Sequence, residues 1–278
     1  MRGGTVGWIG LGAIGLPMSI RAATAGWEIC GFDSSPDRRD AAGLAGVRIV
    51  SEPAAVGRQA DELVVCVVRS ADQVREVLLG EGGALAGTTG RIGVVMSSVG
   101  AEAMGALADD SAAHGVPLVD APILGSPAKA AAGELTIVTS GDARARERSR
   151  PLLDDLASVV VELGDRPGSA QALKVVSQLL QVVGMVATFE GVALAVGNGL
   201  REEDVLEVID ATEPSWTTAN WEYAKDLWTR GDPATSLGLF AKDLAAAAAD
   251  GRRVGQDLPL TAEALRQICA RLEGNRNL

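Results

Sequence analysis

The first 164 residues alternate between short apolar runs and longer amphipathic stretches. The apolar runs, such as residues 5–10 and 63–68, are almost continuous, as in parallel strands that are buried on both faces. The amphipathic stretches between them have helical spacing and can supply the crossover connections of a parallel sheet. The pattern predicts strands at residues 5–10, 27–32, 47–50, 63–68, 91–96, 117–120, 135–140 and 159–163.

Residues 165–278 show no convincing strand pattern. Apolar residues recur there at helical spacing, and Gly and Pro separate the segments. After one long helix, the predicted helices are residues 201–211, 213–228, 237–251 and 259–272. We therefore expect two domains, an α/β domain over residues 1–164 and an all-α domain over residues 165–278.

The long helix is predicted between Gly164 and Gly199, and apolar residues cover almost all of its faces. A helix of this kind is buried inside a large protein or in a membrane. Lys174, Gln178 and Gln181 share one face of it, and a lysine in such a place is costly unless it faces a cavity or a partner. We therefore expect the helix to form the wall of an active site. Its apolar surface exceeds what one small helical domain can cover, which predicts a homodimer or homotetramer.

Composition narrows the possible partners. The chain has 278 residues, a formal net charge of -11 and a pI of about 4.7, so nucleic acid and anionic membranes are disfavoured as partners. Three widely spaced cysteines and a single histidine, His114, indicate neither a disulfide framework nor a metal site. No signal-peptide pattern precedes the first strand, and polar residues interrupt the long helix. We expect a cytoplasmic protein that acts on a small molecule.

A glycine-rich turn joins the first predicted strand to a helical segment and has the spacing G-x-G-x-x-G. It consists of Gly10, Leu11, Gly12, Ala13, Ile14 and Gly15. Glycines at this spacing allow a tight turn, close approach of the backbone to a pyrophosphate, and close packing of the helix. The helix N-terminus adds N–H groups and partial positive charge for the anion. The turn predicts a Rossmann-like dinucleotide-binding domain, although glycine-rich turns also have purely structural uses.

Asp33 follows the second predicted strand and bears on the choice of cofactor. A carboxylate at this place accepts hydrogen bonds from the adenosine ribose hydroxyls and repels a 2′-phosphate, which favours NAD over NADP. Ser34 follows it and is a further candidate contact. Arg38 and Arg39 could instead serve a 2′-phosphate, or they could lie on a solvated helix start.

Other candidates lie where later strands end, because open α/β sheets bind ligands at the carboxyl ends of their strands. Val68 and Arg69 come at the end of the strand at residues 63–68. Ser98 follows the strand at residues 91–96, and its hydroxyl would face the nicotinamide half of the cofactor. A helix N-cap is an equally good interpretation of Ser98.

Four stretches of the chain together carry a family resemblance. They are the glycine turn continued by Leu16-Pro17-Met18, the segment from Asp120-Ala121-Pro122 to Gly133-Glu134-Leu135, Gly168 followed by Lys174, and Lys242-Asp243-Leu244 preceded by Ser215-Trp216. In this order and spacing the chain resembles the β-hydroxyacid dehydrogenase family. That family includes 3-hydroxyisobutyrate dehydrogenase, tartronate semialdehyde reductase and, more distantly, 6-phosphogluconate dehydrogenase.

The resemblance implies a Rossmann-like domain, a helical domain, and an active site between them along the long helix. It also implies NAD(P) as cofactor, Lys174 as the proton donor or acceptor, and Lys242 as a second lysine that contacts the cofactor. Hydride transfer to or from nicotinamide needs such a partner for the hydroxyl proton. The alternatives are a Lys174 that reaches solvent or pairs with an acid, and a surface Lys242 beside Asp243.

The chain departs from the family pattern where the family holds its substrate. Leu124-Gly125-Ser126 replaces Ser-Gly-Gly, so a leucine stands in place of a hydroxyl that helps to bind the substrate carboxylate. Gln178 stands where the family has an asparagine and keeps amide chemistry with one more methylene, although it could be a surface glutamine. Ser98 replaces a threonine, and Val95 replaces an aspartate near the nicotinamide.

These departures predict a substrate that is bulkier or less charged than a small hydroxy acid. Its contacts would come from Leu124, Gly125, Ser126, Gln178 and Trp216. Two aromatic residues that follow Trp216 in the sequence, Trp221 and Tyr223, are further candidates for the wall of the site. Core packing is the alternative interpretation of these aromatic residues.

We expect an NAD(P)-dependent dehydrogenase or reductase that acts on an alcohol or carbonyl group. Oxidative decarboxylation is not expected, because Gln181 occupies the position of the glutamate that the 6-phosphogluconate branch uses. An imine or keto-amine reductase is an alternative, which the presence of Lys174 disfavours. A non-catalytic dinucleotide-binding protein is a second alternative.

Overall fold

A computed structural model describes residues 3–212 and 233–272 of the chain. The predicted helix at residues 213–228 lies outside these ranges, and so do Trp216, Trp221 and Tyr223. The chain divides into two compact units, Met1–Lys174 and Val175–Leu278. The domain boundary at residue 164 stays a prediction.

The strands predicted from the apolar runs are all present, with ends that differ by one or two residues. The strands are β1 (Thr5–Ile9), β2 (Glu28–Phe32), β3 (Arg48–Ile49), β4 (Leu63–Cys66), β5 (Ile92–Val95), β6 (Leu118–Asp120), β7 (Ile123–Leu124), β8 (Leu135–Gly141) and β9 (Ala157–Glu162). The helices of the described ranges are α1 (Gly15–Thr24), α2 (Pro36–Leu44), α3 (Pro53–Gln59), α4 (Ala71–Leu79), α5 (Ala101–Ala113), α6 (Pro127–Ala132), α7 (Ala143–Leu156), α8 (Ser169–Gly197), α9 (Glu202–Thr212), α10 (Pro233–Val254) and α11 (Pro259–Leu272).

The first six strands form a parallel sheet in the order β3-β2-β1-β4-β5-β6. Their carboxyl ends therefore lie along one edge of the sheet. The order in which strands are added reverses between β1 and β4, and such a switch point is where open α/β sheets bind ligands. The expected fold class, a Rossmann-like domain followed by a helical domain, is confirmed.

The far edge of the sheet contains a strand that the sequence pattern did not predict. No strand is predicted at residues 123–124, but they form β7, which pairs antiparallel with β8. β8 also pairs antiparallel with β6 and parallel with β9. A two-residue strand is too short to show an alternating pattern, so only tertiary pairing defines it.

Side chains of the parallel strands fill two separate cores, one on each face of the sheet. Trp8, Val65 and Val94 belong to the core that α1 and α7 cover. Ile9 and Val64, their neighbours in sequence, belong to the opposite core. Because successive side chains point to opposite faces, both parities must be apolar, which explains the continuous apolar runs.

The second unit is built around the middle of α8. Val182, Met185 and Phe189 are buried there and pack in one core with Phe240 and Ile268. Packing at this spacing uses one face of the helix, as in other helical domains.

Not every face of α8 is covered within a single chain. Leu180 is 57% exposed and Leu194 is 70% exposed, and both lie away from the core of the second unit. Among the helices of the described ranges, α8 alone is long and apolar enough to cross a membrane by length and composition. A core or interface helix passes the same test, so this property does not indicate a membrane protein.

Candidate active site

Two of the three glycines in the turn after β1 are required by the packing of the protein itself. Gly10 has a φ of +94°, and a Cβ there would lie 2.0 Å from the carbonyl oxygen of Val67. A Cβ on Gly15 would lie 2.1 Å from the carbonyl oxygen of Gly10. Both distances are far below van der Waals contact, so any larger residue would displace the backbone.

Gly12 differs, because the protein leaves room beside it. A Cβ there would approach only the guanidinium of Arg38, at an ordinary contact distance of 3.5 Å. The N-terminus of α1 follows, and Ile14 at its N-cap position provides no side-chain hydrogen bond. Open backbone beside a helix N-terminus suits the pyrophosphate of a dinucleotide. The glycine turn therefore fits the cofactor predicted from the sequence.

Asp33 is buried at the end of β2 and is bonded to the glycine turn. Its Oδ2 accepts a hydrogen bond of 2.8 Å from the backbone N–H of Leu11, and its Oδ1 accepts one of 2.9 Å from the N–H of Ser35. The Nη1 atom of Arg38 lies 3.7 Å from Oδ2. Each carboxylate oxygen can accept more than one hydrogen bond, so Asp33 keeps capacity for the ribose hydroxyls.

Arg39, the second candidate for a 2′-phosphate, is engaged with the backbone. Its Nη1 donates to the carbonyl oxygen of Asp33 at 2.7 Å and to that of Ser34 at 3.2 Å. Its guanidinium also lies over the ring of Phe32, 5.9 Å from the centroid. The side chain of Ser34 is exposed beside this arrangement.

Ser97 joins the carboxyl ends of β4 and β5. Its Oγ accepts a hydrogen bond of 2.8 Å from the N–H of Val68 and donates one of 3.4 Å to the carbonyl oxygen of Cys66. Burial raises the pKa of the Cys66 thiol to about 12, so this thiol stays protonated and serves packing. Of the two neighbouring candidates, Ser98 is half-buried and Arg69 is exposed.

Gln171 is buried at the start of α8 and bonds that helix to the loop after β5. Its Oε1 accepts from the N–H groups of Val99 at 3.0 Å and Gly100 at 3.3 Å. Its Nε2 donates to the carbonyl oxygen of Ser97 at 3.1 Å and to Oδ1 of Asp120 at 2.8 Å. Sequence reasoning missed Gln171, because its partners are distant in the sequence.

Asp120 is fully buried at the end of β6 and completes the attachment of α8. Its Oδ2 accepts from Oγ of Ser140 at 2.8 Å, from the N–H of Gly168 at 3.1 Å and from the N–H of Gln171 at 3.3 Å. Burial raises the pKa of Asp120, and the hydrogen bonds oppose that shift. The sequence carried one signal of this role, which is a carboxylate set directly after an apolar strand.

Lys174 is half-buried on α8, three residues after Gln171. Successive positions at this spacing lie on neighbouring parts of one helix face. The bonds of Gln171 therefore fix the turn from which Lys174 projects relative to the end of β5.

The predicted substrate segment begins in a strand and ends in a helix cap. Leu124 is half-buried in β7, opposite Thr136. Gly125 has a φ of +144°, and Oγ of Ser126 accepts a hydrogen bond of 3.3 Å from the N–H of Lys129 at the start of α6. Ser126 thus has a structural use as an N-cap in addition to the substrate contact expected of it.

In the second unit, the amide of Gln178 is bonded to α10. Its Nε2 donates to Oδ2 of Asp243 at 2.5 Å. Gln178 is half-buried, whereas Lys242, beside Asp243, is exposed on α10. Trp216, the remaining predicted substrate contact, lies outside the described residues. Across the described ranges, no group of three or more His, Cys, Asp and Glu side chains is placed to hold a metal ion.

Two protein families match successive parts of the chain and together cover nearly its whole length. Residues 5–164 match the family described as the NAD binding domain of 6-phosphogluconate dehydrogenase. Residues 168–276 match the family described as NAD-binding of NADP-dependent 3-hydroxyisobutyrate dehydrogenase.

Curated proteins and solved structures agree with these matches. L-threonate dehydrogenase of Escherichia coli O6:H1 is 34% identical over 94% of this chain and 86% of its own length. NAD-dependent L-serine dehydrogenase of Pseudomonas aeruginosa is 30% identical over 73% of this chain and 68% of its own length. The crystal structure of 3-hydroxyisobutyrate dehydrogenase from Salmonella typhimurium has a TM-score of 0.84 and 27% identity, and covers 98% of this chain and 95% of that chain.

Proposed function

Because the chain belongs to the β-hydroxyacid dehydrogenase family of NAD(P)-dependent oxidoreductases, we propose that it interconverts a hydroxy acid and its carbonyl form with Lys174 as the proton donor and acceptor. The observation that carries this proposal is the attachment of the first turn of α8 to the carboxyl ends of β5 and β6 through Gln171. That attachment holds Lys174 to the edge of the sheet where parallel α/β folds bind their ligands.

The reaction moves a hydride and a proton separately. NAD(P), when bound, would supply or accept the hydride at nicotinamide C4. In the oxidising direction the Lys174 amine accepts the hydroxyl proton of the substrate, and in the reducing direction the Lys174 ammonium donates a proton to the oxygen that forms. A lysine suits this role because its amine can both lose and gain a proton near neutral pH when its surroundings are partly apolar.

The cofactor is proposed to lie along the carboxyl ends of the parallel strands. The glycine turn, from Gly10 to Gly15, would hold the pyrophosphate, and Asp33 with Ser34 would contact the adenosine ribose. The other proposed cofactor contacts in the first unit are Val68, Arg69 and Ser98. Lys242 of the second unit is proposed to contact the cofactor as well.

NAD is the proposed physiological cofactor. The buried carboxylate of Asp33 is held by Leu11 and Ser35, so it cannot easily turn away from a 2′-phosphate. A relative with 30% identity is named an NAD-dependent L-serine dehydrogenase, which supports this choice. The guanidinium of Arg38 near the same carboxylate is the feature that NADP would use.

The substrate is proposed to be a hydroxy acid with an aliphatic or weakly polar group near Leu124. Leucine offers no hydrogen bond at this position, where the family pattern has serine. Gln178 would supply an amide contact, and Gly125, Ser126 and Trp216 would complete the substrate site. L-Threonate, L-serine and 3-hydroxyisobutyrate, which the names of the relatives indicate, form the first panel to test, together with bulkier hydroxy acids.

The active form is proposed to be a cytoplasmic homodimer or homotetramer. One face of α8 carries a stripe of exposed residues that are apolar or small, and we name it the α8 stripe. It consists of Leu173, Val176, Leu180, Ala187, Gly191 and Leu194. Spacings of 3, 4, 7 and 11 residues keep them on one side of the helix. A second copy of the chain is the occupant we propose for this stripe.

The role of Lys174 is tested by substitution and chemical rescue. Lys174→Ala should lower kcat by about 10²–10⁴ and leave the Kd for NADH unchanged. Added methylamine should restore part of the rate, because it supplies the missing amine at the same place. Lys174→Arg should stay inactive, since a guanidinium keeps the charge but does not release a proton at neutral pH. Full turnover of either variant would refute the proposal. An active Lys174→Arg beside an inactive Lys174→Ala would show that only the positive charge of Lys174 is needed.

A further inference from the structure

Asp120 and Gln171 form a buried polar pair, and the proposed chemistry leaves both unused. Asp120 is 0% exposed and Gln171 is 1% exposed. A buried carboxylate is costly unless it is well bonded, and an apolar pair of similar size would pack without that cost. Among the described residues, no Lys or Arg forms a salt bridge with Asp120, so hydrogen bonds alone hold its charge.

The hydrogen bonds define the orientation of both side chains. Oε1 of Gln171 receives two backbone N–H groups, and Nε2 of Gln171 faces two acceptors, the carbonyl oxygen of Ser97 and Oδ1 of Asp120. Turning the amide over would place oxygen against oxygen and N–H against N–H, so one orientation is allowed. Oδ2 of Asp120 receives the N–H groups of Gly168 and Gln171, which are the first donors of α8.

Two elements of the proposed site are therefore held by one pair of side chains. The loop from Ser97 to Gly100, which contains Ser98, is bonded to Gln171. The first turn of α8, which precedes Lys174, is bonded to Asp120 and to Ser140, whose Oγ accepts from the N–H of Ala170 at 3.1 Å. Loss of the pair would free both elements to move independently.

We propose that Asp120 and Gln171 are positioning residues that fix Lys174 relative to Ser98 and so set the geometry of proton transfer. This inference rests on the proposed role of Lys174. Misplacement of a reacting group by about 1 Å can cost roughly 10²-fold in rate, which is the scale of effect that loosening of the pair would have.

A polarity swap tests the pair. In Asp120→Asn, the amide oxygen can replace Oδ2, but the amide nitrogen then faces Nε2 of Gln171, donor against donor. In Gln171→Glu, a carboxylate faces the carboxylate of Asp120. Each single variant should lower kcat by about 10- to 100-fold with little change in the Kd for NADH. The double variant joins an amide donor at residue 120 to a carboxylate acceptor at residue 171 and keeps acceptors for Val99 and Gly100, but that carboxylate also faces the carbonyl oxygen of Ser97. Its kcat should therefore recover in part, by about tenfold over the slower single variant, and stay below that of the wild type.

A second cycle shows whether the pair acts through Lys174. Asp120→Asn should lower kcat in the wild-type protein but cause little further loss in Lys174→Ala, because the residue that it positions is already gone. Asp155→Asn is the matched control, since Asp155 is also buried and accepts a hydrogen bond of 2.9 Å from Nε1 of Trp27. The control should lower Tm and leave kcat per NADH-binding site unchanged.

Hydrogen exchange of residues 168–174 gives a readout that does not depend on turnover. Exchange should be faster in each single variant and slower again in the double variant. Three results would each overturn the proposal. The single variants could have a lower Tm but an unchanged kcat per binding site. The double variant could show no recovery of kcat, or the loss of kcat from Asp120→Asn could be fully additive with that from Lys174→Ala. Turnover that survives in Lys174→Ala alone would instead refute the proposed function, while the exchange pattern would still report on the pair.

Discussion

The carboxylate of Asp33 and the backbone N–H of Leu11 are joined by a hydrogen bond of 2.8 Å that connects the end of β2 to the glycine turn. One residue therefore has two roles in the proposed cofactor site. It holds the turn that would bind the pyrophosphate, and it presents negative charge where the adenosine ribose is expected.

Asp33→Asn should weaken the discrimination between NADH and NADPH. The amide keeps an acceptor for Leu11 but removes the charge that repels a 2′-phosphate, and Arg38 remains within reach of that phosphate. We expect kcat/KM to fall for NADH and to rise for NADPH, so that their ratio changes by about tenfold or more. Steady-state kinetics with both cofactors measures this. Asp40→Asn, an exposed carboxylate on α2, is the control with the same charge change, and an unchanged ratio in Asp33→Asn would exclude Asp33 as the determinant.

Gly12 and Gly10 should respond differently to substitution by alanine. At Gly12 the new Cβ meets only the tip of Arg38, so Gly12→Ala should change the free energy of unfolding by no more than about 0.5 kcal/mol. The same methyl should raise the Kd for NADH, because it occupies the surface that a pyrophosphate would approach. Gly10→Ala should unfold the protein or lower its Tm strongly, since its Cβ would lie 2.0 Å from a carbonyl oxygen.

Thermal melts and NADH titrations of the two glycine variants check both expectations. If Gly12→Ala binds NADH as tightly as the wild type does, the pyrophosphate of the cofactor does not lie against Gly12.

The contrast between the glycine turn and the Asp120–Gln171 pair shows what the sequence could predict. The turn is local, since its strand, glycines and helix are contiguous, and the glycine spacing together with this context identified it. Gln171 could not be identified in this way, because Asp120 and Ser97 are distant in sequence and the bonds exist only once β5, β6 and α8 are assembled. On α8, periodicity shows which residues are apolar but not which neighbour covers them. Leu180 is apolar and yet 57% exposed in the single chain.

The stability of the protein should carry a signature of Asp120 at acidic pH. Burial raises the pKa of Asp120 above its ordinary value of 3.8, so the folded state holds this proton at pH values where the unfolded state has lost it. The contribution of this group to stability is therefore largest below that ordinary value and is lost as the pH rises through the raised pKa. Urea unfolding of the wild type and of Asp120→Asn across this range, with their difference plotted against pH, measures it. The free energy of unfolding of the wild type minus that of Asp120→Asn should fall as the pH rises. A rise in this difference would mean that the hydrogen bonds to Asp120 outweigh its burial.

Leu124→Ser should move substrate preference towards small hydroxy acids. It restores a hydroxyl that can hydrogen-bond a carboxylate, and a hydrogen bond to a charged group is worth about 1.5–3 kcal/mol. We expect kcat/KM for L-serine or 3-hydroxyisobutyrate to rise roughly tenfold relative to bulkier hydroxy acids, which is the lower end of that range. Leu44→Ser, at an exposed site on α2, is the matched control, and equal changes for all substrates would show that Leu124 does not contact the substrate.

Leu180→Glu should dissociate the assembly proposed for the α8 stripe. Burial of a leucine side chain is worth about 1.5–3 kcal/mol, and each two-fold interface contains the residue twice, so the variant loses about 3–6 kcal/mol and its Kd for self-association rises by about 10²–10⁴. Light scattering coupled to size-exclusion chromatography should show a wild-type mass of two or four chains and a variant mass near 28.5 kDa. Leu44→Glu has the same charge change at a residue that is 92% exposed in the first unit, and it should leave the mass unchanged. A wild type that is already monomeric, or a Leu180→Glu variant that stays assembled, would show that the stripe is not the interface.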